Sequence, residues 1–410
     1  MKNCETEGTM MPKKDQSTSF SSEELREQIV KRESELRQPG SMMFSRSRYE
    51  IERTLGEGGM GITCLANEVS AANLKRPVVL KFVKDSLDAV RLDGFLNEVQ
   101  LSVLFNHPNL VPVYRLESET LKIDMPARQS PFDRTYEHTV YYAVMQYIEG
   151  WNIRQLVERC RQLNIKLNPD ITIFIINRVA RGLHYVHEYK GENDQHVELV
   201  HRDVSPENIL IDKFGRIKVA DFGLTKRTTG IRNDAVTNMG KMLYSSPEQH
   251  DGVVVDRRSD IYNIGLVLYF MFSDNDRFGP EWGLEHMRER IRTKMKNSPV
   301  EELKKDIEPR LAHICSVCLA EDPDERYQTC EDLATDIDIY FKESQKVVTN
   351  ELLSEVLNEL FFKDNPTFTS RRFVPLTGSS HLPQPDYDPD AEQEPQSIDK
   401  PLPTVPMEEE

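Results

Sequence analysis

The chain changes texture twice, and the order of those changes limits its fold more than any other feature. From Tyr49 it runs in β-branched and aromatic stretches broken by glycine: Tyr49 to Leu55, Ile62 to Val69 and Val78 to Val83, which read as strands. Leu87 to Leu104 then carries Val90, Phe95, Val99 and Val103 at helical spacing and stops at Asn106-His107-Pro108, where proline forbids continuation. Two more strands read near Leu110 to Glu117 and Thr139 to Tyr147, and the polar stretch Glu119 to His138 between them reads as a surface insertion. After Gly150 the pattern turns helical, at Ile153 to Asn164, Asn168 to Tyr189, Ser259 to Phe272, Trp282 to Lys296, Glu308 to Ala320 and Thr329 to Ser344. A strand-rich small lobe followed by a helix-rich large lobe, joined near Gln146 to Gly150, is an α+β arrangement.

A chain of 410 residues can bury a sizeable core without staples. Its formal net charge of -16 argues against a general nucleic-acid or anionic-membrane binder, because both recruit excess Lys and Arg. Cys4, Cys64, Cys160, Cys315, Cys318 and Cys330 are scattered and form no secreted disulfide framework, which fits a reducing, cytoplasmic setting. Cys315 and Cys318 read as core cysteines of an apolar helix, since no second Cys or His pair stands at zinc-like spacing. Met1 to Ser41 lacks the apolar run of a secretory signal. The longest apolar run, Ile261 to Phe272, contains Asn263 and falls short of the roughly 20 residues a membrane span needs, so it reads as a buried helix.

The organisation follows. Residues 1–48 form a polar arm, read as disordered or loosely docked, with a short helix from Ser22 to Arg37 as the other reading. Residues 49–344 make the two-lobed domain, the small lobe at about 49–147 and the large lobe at about 148–344. Residues 345–363 carry an extra helix with Leu352, Leu353, Val356, Leu357 and Leu360 on one side, which docks on the large lobe or on a partner. From Asp364 the tail holds nine prolines and ten acidic against three basic residues, a composition that reads as disordered.

Four local patterns carry chemistry. Gly56-Glu57-Gly58-Gly59-Met60-Gly61 is a Gly-x-Gly-x-x-Gly turn between two predicted strands, where backbone can approach phosphates that a side chain would block. A dinucleotide fold would need a helix after it, and a strand follows. Val79-Leu80-Lys81 places a lysine in an apolar strand, where an ammonium needs a partner, and Glu98 on the next helix is the natural one. His201-Arg202-Asp203-Val204-Ser205-Pro206-Glu207-Asn208 precedes a predicted hairpin around Lys213-Phe214-Gly215, then Asp221-Phe222-Gly223. Ser246-Pro247-Glu248 and Asp322-Pro323-Asp324-Glu325-Arg326-Tyr327 follow.

These strings, in this order, resemble the protein kinase superfamily, and the resemblance covers roughly Tyr49 to Ser344. It implies the two-lobed kinase fold and the use of ATP and Mg²⁺ on protein substrates. By the resemblance Gly56, Gly58, Gly59, Gly61 and Lys81 would hold the phosphates, and Asp203 would orient the acceptor hydroxyl and take its proton. Asn208 and Asp221 would hold Mg²⁺ through hard oxygen ligands. Met145 would back the adenine pocket, with the backbones of Gln146 and Ile148 at the adenine edge. Glu248 would pair with Arg326, Asp260 would brace the catalytic loop, and Phe222 and Gly223 complete the Asp-Phe-Gly string. Arg202 would receive an activation-segment phosphate, with Thr228, Thr229 and Thr237 as candidates. Taken without the resemblance, Met145 is plain core and the threonines are solvated loop residues.

Two positions depart from the usual serine/threonine pattern. Ser205 stands where lysine is usual, and Lys241 where threonine is usual. Two readings stand: a swap, in which Lys241 would reach the γ-phosphate region and the Ser205 hydroxyl would take the threonine's place, and lost activity. With the Ser-Pro-Glu-Gln string, the swap resembles bacterial-type serine/threonine kinases. The rival class is a pseudokinase, a module that binds through the same fold without turnover; such proteins typically lack one of Lys81, Glu98, Asp203, Asn208 and Asp221, and this chain has all five. The helix after 345 and the acidic tail are candidate partner-binding segments.

Overall fold

Alternation along one strand shows how the sequence builds the small lobe. In the computed structural model, β4 (Lys75–Val83) sends Val78, Leu80 and Phe82 into one apolar cluster and Val79 and Val83 into another on the opposite face. Lys81 sits between Val79 and Val83 in that alternation. The structure describes residues 22–44, 48–57, 61–83, 88–125, 134–191, 194–222, 225–226, 243–273, 303, 307–362 and 372–375. β4 lies in a six-stranded antiparallel sheet ordered β1-β2-β3-β4-β6-β5, with β1 Met42–Phe44, β2 Arg48–Glu57, β3 Gly61–Val69, β5 Val113–Met125 and β6 Arg134–Gln146. Two helices flank it: α1 (Ser22–Leu36) and α2 (Ala89–Ser102). Asp88 caps α2 by accepting from the backbone N–H of Val90 at 3.0 Å and of Arg91 at 3.2 Å.

Three flanking expectations are corrected. The stretch Glu119 to His138 is not an insertion over most of its length, since β5 runs to Met125 and β6 starts at Arg134. The reason is period two: Leu121 and Ile123 alternate with polar residues and turn inward. Residues 22–44 are not a loose arm. Ile29 of α1 packs with Ile123, Leu25 and Tyr136, and buried Glu33 receives His138 Nε2 at 2.9 Å. The tail is not structureless throughout, because β13 (Phe373–Pro375) pairs with β8 (Ile165–Leu167) and Phe373 is fully buried.

The large lobe is built on helices whose apolar residues outgrow one stripe. α6 (Arg257–Ser273) is buried from Ser259 to Phe272, the pattern of a helix enclosed on all sides. It packs with α4 (Pro169–His187) and α7 (Pro309–Cys318), and α8 (Cys330–Ser344) lies on α4. The large-lobe core also takes in α3 (Ile153–Gln162) and α9 (Asn350–Phe361), whose Leu352, Leu353, Val356, Leu357 and Leu360 are all buried in it. The apolar side of that last helix is therefore spent on the chain's own lobe. Cys315 and Cys318 are buried core residues. The expected helix Trp282 to Lys296 lies outside the described residues, and no described helix is long and apolar enough to cross a membrane. Short strands β7 (Gly150–Asn152), β10 (Ile209–Asp212) and β11 (Ile217–Val219) form a small sheet, and β9 (Leu199–Val200) pairs with β12 (Thr225–Lys226).

Candidate active site

The site assembles where the small sheet of the large lobe meets β4 and α2. On β4, Lys81 faces the side against which Phe95 and Val99 of α2 pack, and the α2 turn between those two residues carries Glu98. Lys81 Nζ stands 3.0 Å from Glu98 Oε1 and 3.0 Å from Asp221 Oδ1. Burial alone would lower the pKa of this ammonium, but the Asp221 and Glu98 carboxylates outweigh it and hold Lys81 above the ordinary lysine value. Lys81 is thus a fixed positive charge, buried and paired by two anions from two elements.

Asp221 follows directly on β11 and Ala220, and Asn208 directly precedes β10. The hairpin thereby brings Asn208 and Asp221 to one end, where the Ala220 N–H donates to Asn208 O at 2.8 Å. Asn208 Nδ2 donates to Asp203 O at 2.8 Å and to Asp203 Oδ2 at 3.0 Å. Those bonds use both amide hydrogens, so Oδ1, a hard oxygen donor, is turned to the other side of the amide. Asp203, Asn208, Asp221 and Lys81 are therefore linked in one chain of contacts.

Two residues here adopt left-handed backbone without being glycine, Arg202 at φ 65° and Asp221 at φ 56°. Buried Asp260 of α6 holds the first in place: Oδ2 accepts from the His201 N–H at 2.8 Å and Oδ1 from the Arg202 N–H at 2.8 Å, while His187 Nε2 lies 2.7 Å from Oδ2. Burial pushes the Asp260 carboxyl up, but His187 and the His201 backbone bring it below its ordinary value. His201 donates from Nε2 to Ala220 O at 3.2 Å and accepts at Nδ1 from the Asp203 N–H at 3.2 Å, which fixes one tautomer. Burial keeps its pKa below the usual histidine value despite nearby Asp260 and Asp203. Phe222 is buried between His201, at 4.8 Å, and Phe105, at 5.8 Å between ring centroids. The orientation of Asp221 is thus set by packing on its neighbour.

Glu248, in α5 (Pro247–Asp251), makes a forked pair with Arg326, at 2.7 Å to Nη1 and 3.0 Å to Nη2. Arg326 also donates to Ala320 O, Arg258 O and Glu321 O, so a fully buried guanidinium is satisfied. Met145 lies in the cluster that includes Val83, Ala143 and Ala220. The Gln146 N–H is spent on Pro112 O at 2.9 Å, leaving the Gln146 carbonyl as the group it can offer a ligand edge. A Cβ on Gly61 would sit 2.2 Å from Phe82 O, so only glycine fits there; one on Gly56 would meet nothing within 4 Å. Gly58, Gly59, Gly223, Thr228, Thr229, Thr237 and Lys241 lie outside the described residues.

Sequence reasoning missed several supports. Gln249 Nε2 donates to Arg202 O at 2.9 Å, and Asn263 Nδ2 reaches Gln249 Oε1 at 3.1 Å and also binds Tyr244 O. The signal was present in Asn263, a polar residue inside an apolar helix, since a buried amide must find partners. Leu210 of β10 packs against the small-lobe cluster that holds Met145, alongside Val79 and Ile148.

A family model described as the protein kinase domain matches residues 49–336. The chain belongs to that family. Protein kinase domains use ATP and a divalent metal, and Lys81, Asp203, Asn208 and Asp221 stand in this one at the positions of the family's strings. The curated relatives of this kinase domain include three bacterial proteins. The tyrosine-protein kinase MasK of Myxococcus xanthus is 29% identical over 300 residues, covering 72% of this chain and 43% of MasK. The serine/threonine-protein kinase PrkC of Bacillus subtilis is 29% identical over 304 residues, 72% of this chain and 40% of PrkC. The serine/threonine-protein kinase PknB of Mycolicibacterium smegmatis is 30% identical over 302 residues, 71% of this chain and 42% of PknB. The chain thus spans about two fifths of the length of the relatives it matches. Among solved structures, the PknI kinase domain of Mycobacterium tuberculosis is similar at a TM-score of 0.47 and 20% identity, covering 74% of this chain and 98% of that one.

Proposed function

We propose that this kinase domain transfers the γ-phosphoryl group of ATP, with Mg²⁺, to serine and threonine hydroxyls of proteins in a cytoplasmic setting. The observation that carries the reading is the linked set of Lys81, Glu98, Asp221, Asn208 and Asp203, with the ammonium 3.0 Å from both carboxylates. The donor set fits the metal: a carboxylate and an amide oxygen from the two strands at one end of one hairpin are hard ligands, and Mg²⁺ ordinarily takes one or two such groups beside phosphate and water. Bound ATP and Mg²⁺ supply the transferable phosphoryl group and the positive charge that offsets it.

The chain's own residues do the rest. Lys81, held by Glu98, would offer its ammonium to phosphate oxygens, and Asp221 would be a ligand for the metal. Asn208 and Asp221 hold that metal. Asp203, steadied by Asn208 Nδ2, orients the acceptor hydroxyl and takes its proton. The carbonyl of Gln146 and the backbone of Ile148 meet the adenine edge, with Met145 behind it. Gly56, Gly58, Gly59 and Gly61 let backbone approach the phosphates. On the acceptor side, Lys241 serves the γ-phosphate in place of the lysine that Ser205 replaces, and a phosphate on Thr228, Thr229 or Thr237 meets Arg202. The serine/threonine kinases among the relatives support the acceptor class. The five described cysteines are all buried and none is half of a disulfide, which supports the reducing compartment. The acidic tail beyond 375 is read as a partner-binding extension.

Incubating the full chain with labelled ATP, Mg²⁺ and a generic basic protein tests this. Transfer to serine and threonine is expected, falling about 10²–10⁴-fold in Asp203→Asn, the range a general base contributes, and falling markedly in Lys241→Ala. Label on tyrosine would overturn the acceptor class, a result MasK makes worth looking for. No transfer with retained ATP binding would make the chain a pseudokinase.

A further inference from the structure

Among the described residues, α9 and β13 are the elements that lie wholly C-terminal to the matched region 49–336, and both bind the small sheet that carries the metal ligands or its neighbours. Helix α9 grips that sheet at both of its own ends. At its start, Ser354 Oγ donates to Lys213 O at 2.7 Å, and the backbone of Asn350 lies so close to Gly215 that a Cβ there would stand 2.0 Å from Asn350 O. Lys213 and Gly215 form the turn of the β10–β11 hairpin, where Gly215 has φ 74°. At its end, Phe361 stacks on Trp151 at 4.2 Å with rings 10° apart, and Leu360 O accepts from Arg159 Nε at 2.8 Å. Trp151 belongs to β7 and is paired with Ile211 of β10.

The other end of that hairpin is Asn208 and Asp221. β10 is only four residues, about 13 Å at 3.3 Å per residue, so its turn and its root cannot move independently. The residue after β7 adds a second link, since the Ile153 N–H donates to Pro206 O at 3.0 Å within the catalytic loop. The segment is itself tied down at both ends. Lys346 Nζ meets Asp170 Oδ1 at 2.9 Å and Glu308 Oε2 at 3.0 Å, and the Asn168 N–H donates to Arg372 O at 2.7 Å beside the β8–β13 pair.

We propose that residues 346–362, with 372–375, are a strap that sets the metal site, with Phe361 and Ser354 as positioning residues that act through the β7–β10–β11 sheet on Asn208 and Asp221. The proposal rests on the reading of those two residues as metal ligands. A helix that merely filled the core would contact the lobe through its apolar face alone. This one also holds the hairpin turn and the strand beside it by specific polar and stacking contacts.

The experiment compares the full chain with Phe361→Ala, Phe361→Tyr, Ser354→Ala and Ile337→Val, the last a core truncation in α8 serving as a stability control. Amide hydrogen exchange without ligand is read first. The N–H of Ala220, which closes the hairpin root, is expected to exchange at least threefold faster in Phe361→Ala, less so in Ser354→Ala, and at the parental rate in Phe361→Tyr and Ile337→Val. Calorimetric binding of a non-hydrolysable ATP analogue with and without Mg²⁺ is read second. The gain in affinity that Mg²⁺ brings is expected to fall at least threefold in Phe361→Ala and to be kept in Phe361→Tyr and Ile337→Val. Unchanged Ala220 exchange in both Phe361→Ala and Ser354→Ala, or an equal change in Ile337→Val, overturns the strap. If Phe361→Ala does not fold, Ser354→Ala decides by the same exchange measurement. Failure of the parent to bind the analogue counts against the nucleotide reading alone, because the exchange result still decides the strap.

Discussion

Glu248 and Arg326 show how one pair of residues carries a pH dependence. Burial would raise the Glu248 carboxyl, but the Arg326 guanidinium and the Ser259 hydroxyl hold it below its ordinary value. A folded-state pKa below the unfolded one means that the pair's contribution is complete above about pH 4.3, the usual glutamate value, and is lost as pH falls through the lower folded value. Removing the charge in Glu248→Gln leaves a buried guanidinium uncompensated, so a loss of about 3–5 kcal/mol at pH 7 is expected. Urea unfolding of parent and variant from pH 7 to pH 3 measures it, and the two curves should converge on the acid side. Curves that stay parallel would mean that Glu248 is not ionised in the fold.

At the scale of elements, close approach explains more than propensity. Gly265 lies in the middle of α6, where a Cβ would stand 2.8 Å from the Cys318 Cβ and 2.9 Å from Leu319, so glycine is what lets α6 and α7 touch. Gly265→Ala should cost about 1–3 kcal/mol by overpacking, measurable as a lower urea midpoint. Lys81, Asp203, Asn208 and Asp221 lie on other elements, so initial rates on the folded fraction should change only as far as the overpacking shifts Asp260 of the same helix. The helices that do this packing were legible in the sequence because Phe95 and Val99, or Leu353 and Val356, recur at the helical period, and the boundaries moved by a few residues only. The small-lobe ribbon was not legible over Glu119 to His138. Its alternation of Leu121 and Ile123 with Lys122 and Asp124 is short, and what covers it is α1, nearly a hundred residues earlier, which no local pattern reveals. The candidate site was legible to the extent that distinctive strings single out Lys81, Asp203, Asn208 and Asp221, which the fold brings together. Its supports were not: Gln249, Leu210 and Phe105 have ordinary local contexts and gain their roles only through contacts distant in sequence.

Across the whole molecule, the two lobes are joined by more than the chain between β6 and β7. The loop after α2 is fastened to β11 by Asn109 Nδ2 to Ile217 O at 2.9 Å, by the Val111 N–H to Val219 O at 2.9 Å, and by Lys218 Nζ to Pro108 O at 3.0 Å and Leu110 O at 3.1 Å. Lys218→Met leaves two carbonyls short of a partner and should cost about 1–3 kcal/mol. The larger effect should be on cooperativity: unfolding followed by tryptophan emission and by far-ultraviolet circular dichroism should coincide in the parent and separate in the variant. Coincident curves in both would show that the lobes do not depend on this fastening.

The left-handed backbone at Arg202 and Asp221 has a consequence for how such a molecule can be improved. Each residue costs about 1–2 kcal/mol in that conformation, less for an aspartate than for an arginine, against a total stability of about 5–15 kcal/mol for a folded domain. A library of this chain sorted for heat resistance alone would therefore enrich glycine at position 202, relaxing the turn that Asp260 now enforces, and the survivors would be sturdier and slower. Sorting has to score turnover together with melting, because at this turn the two traits draw on the same few kilocalories.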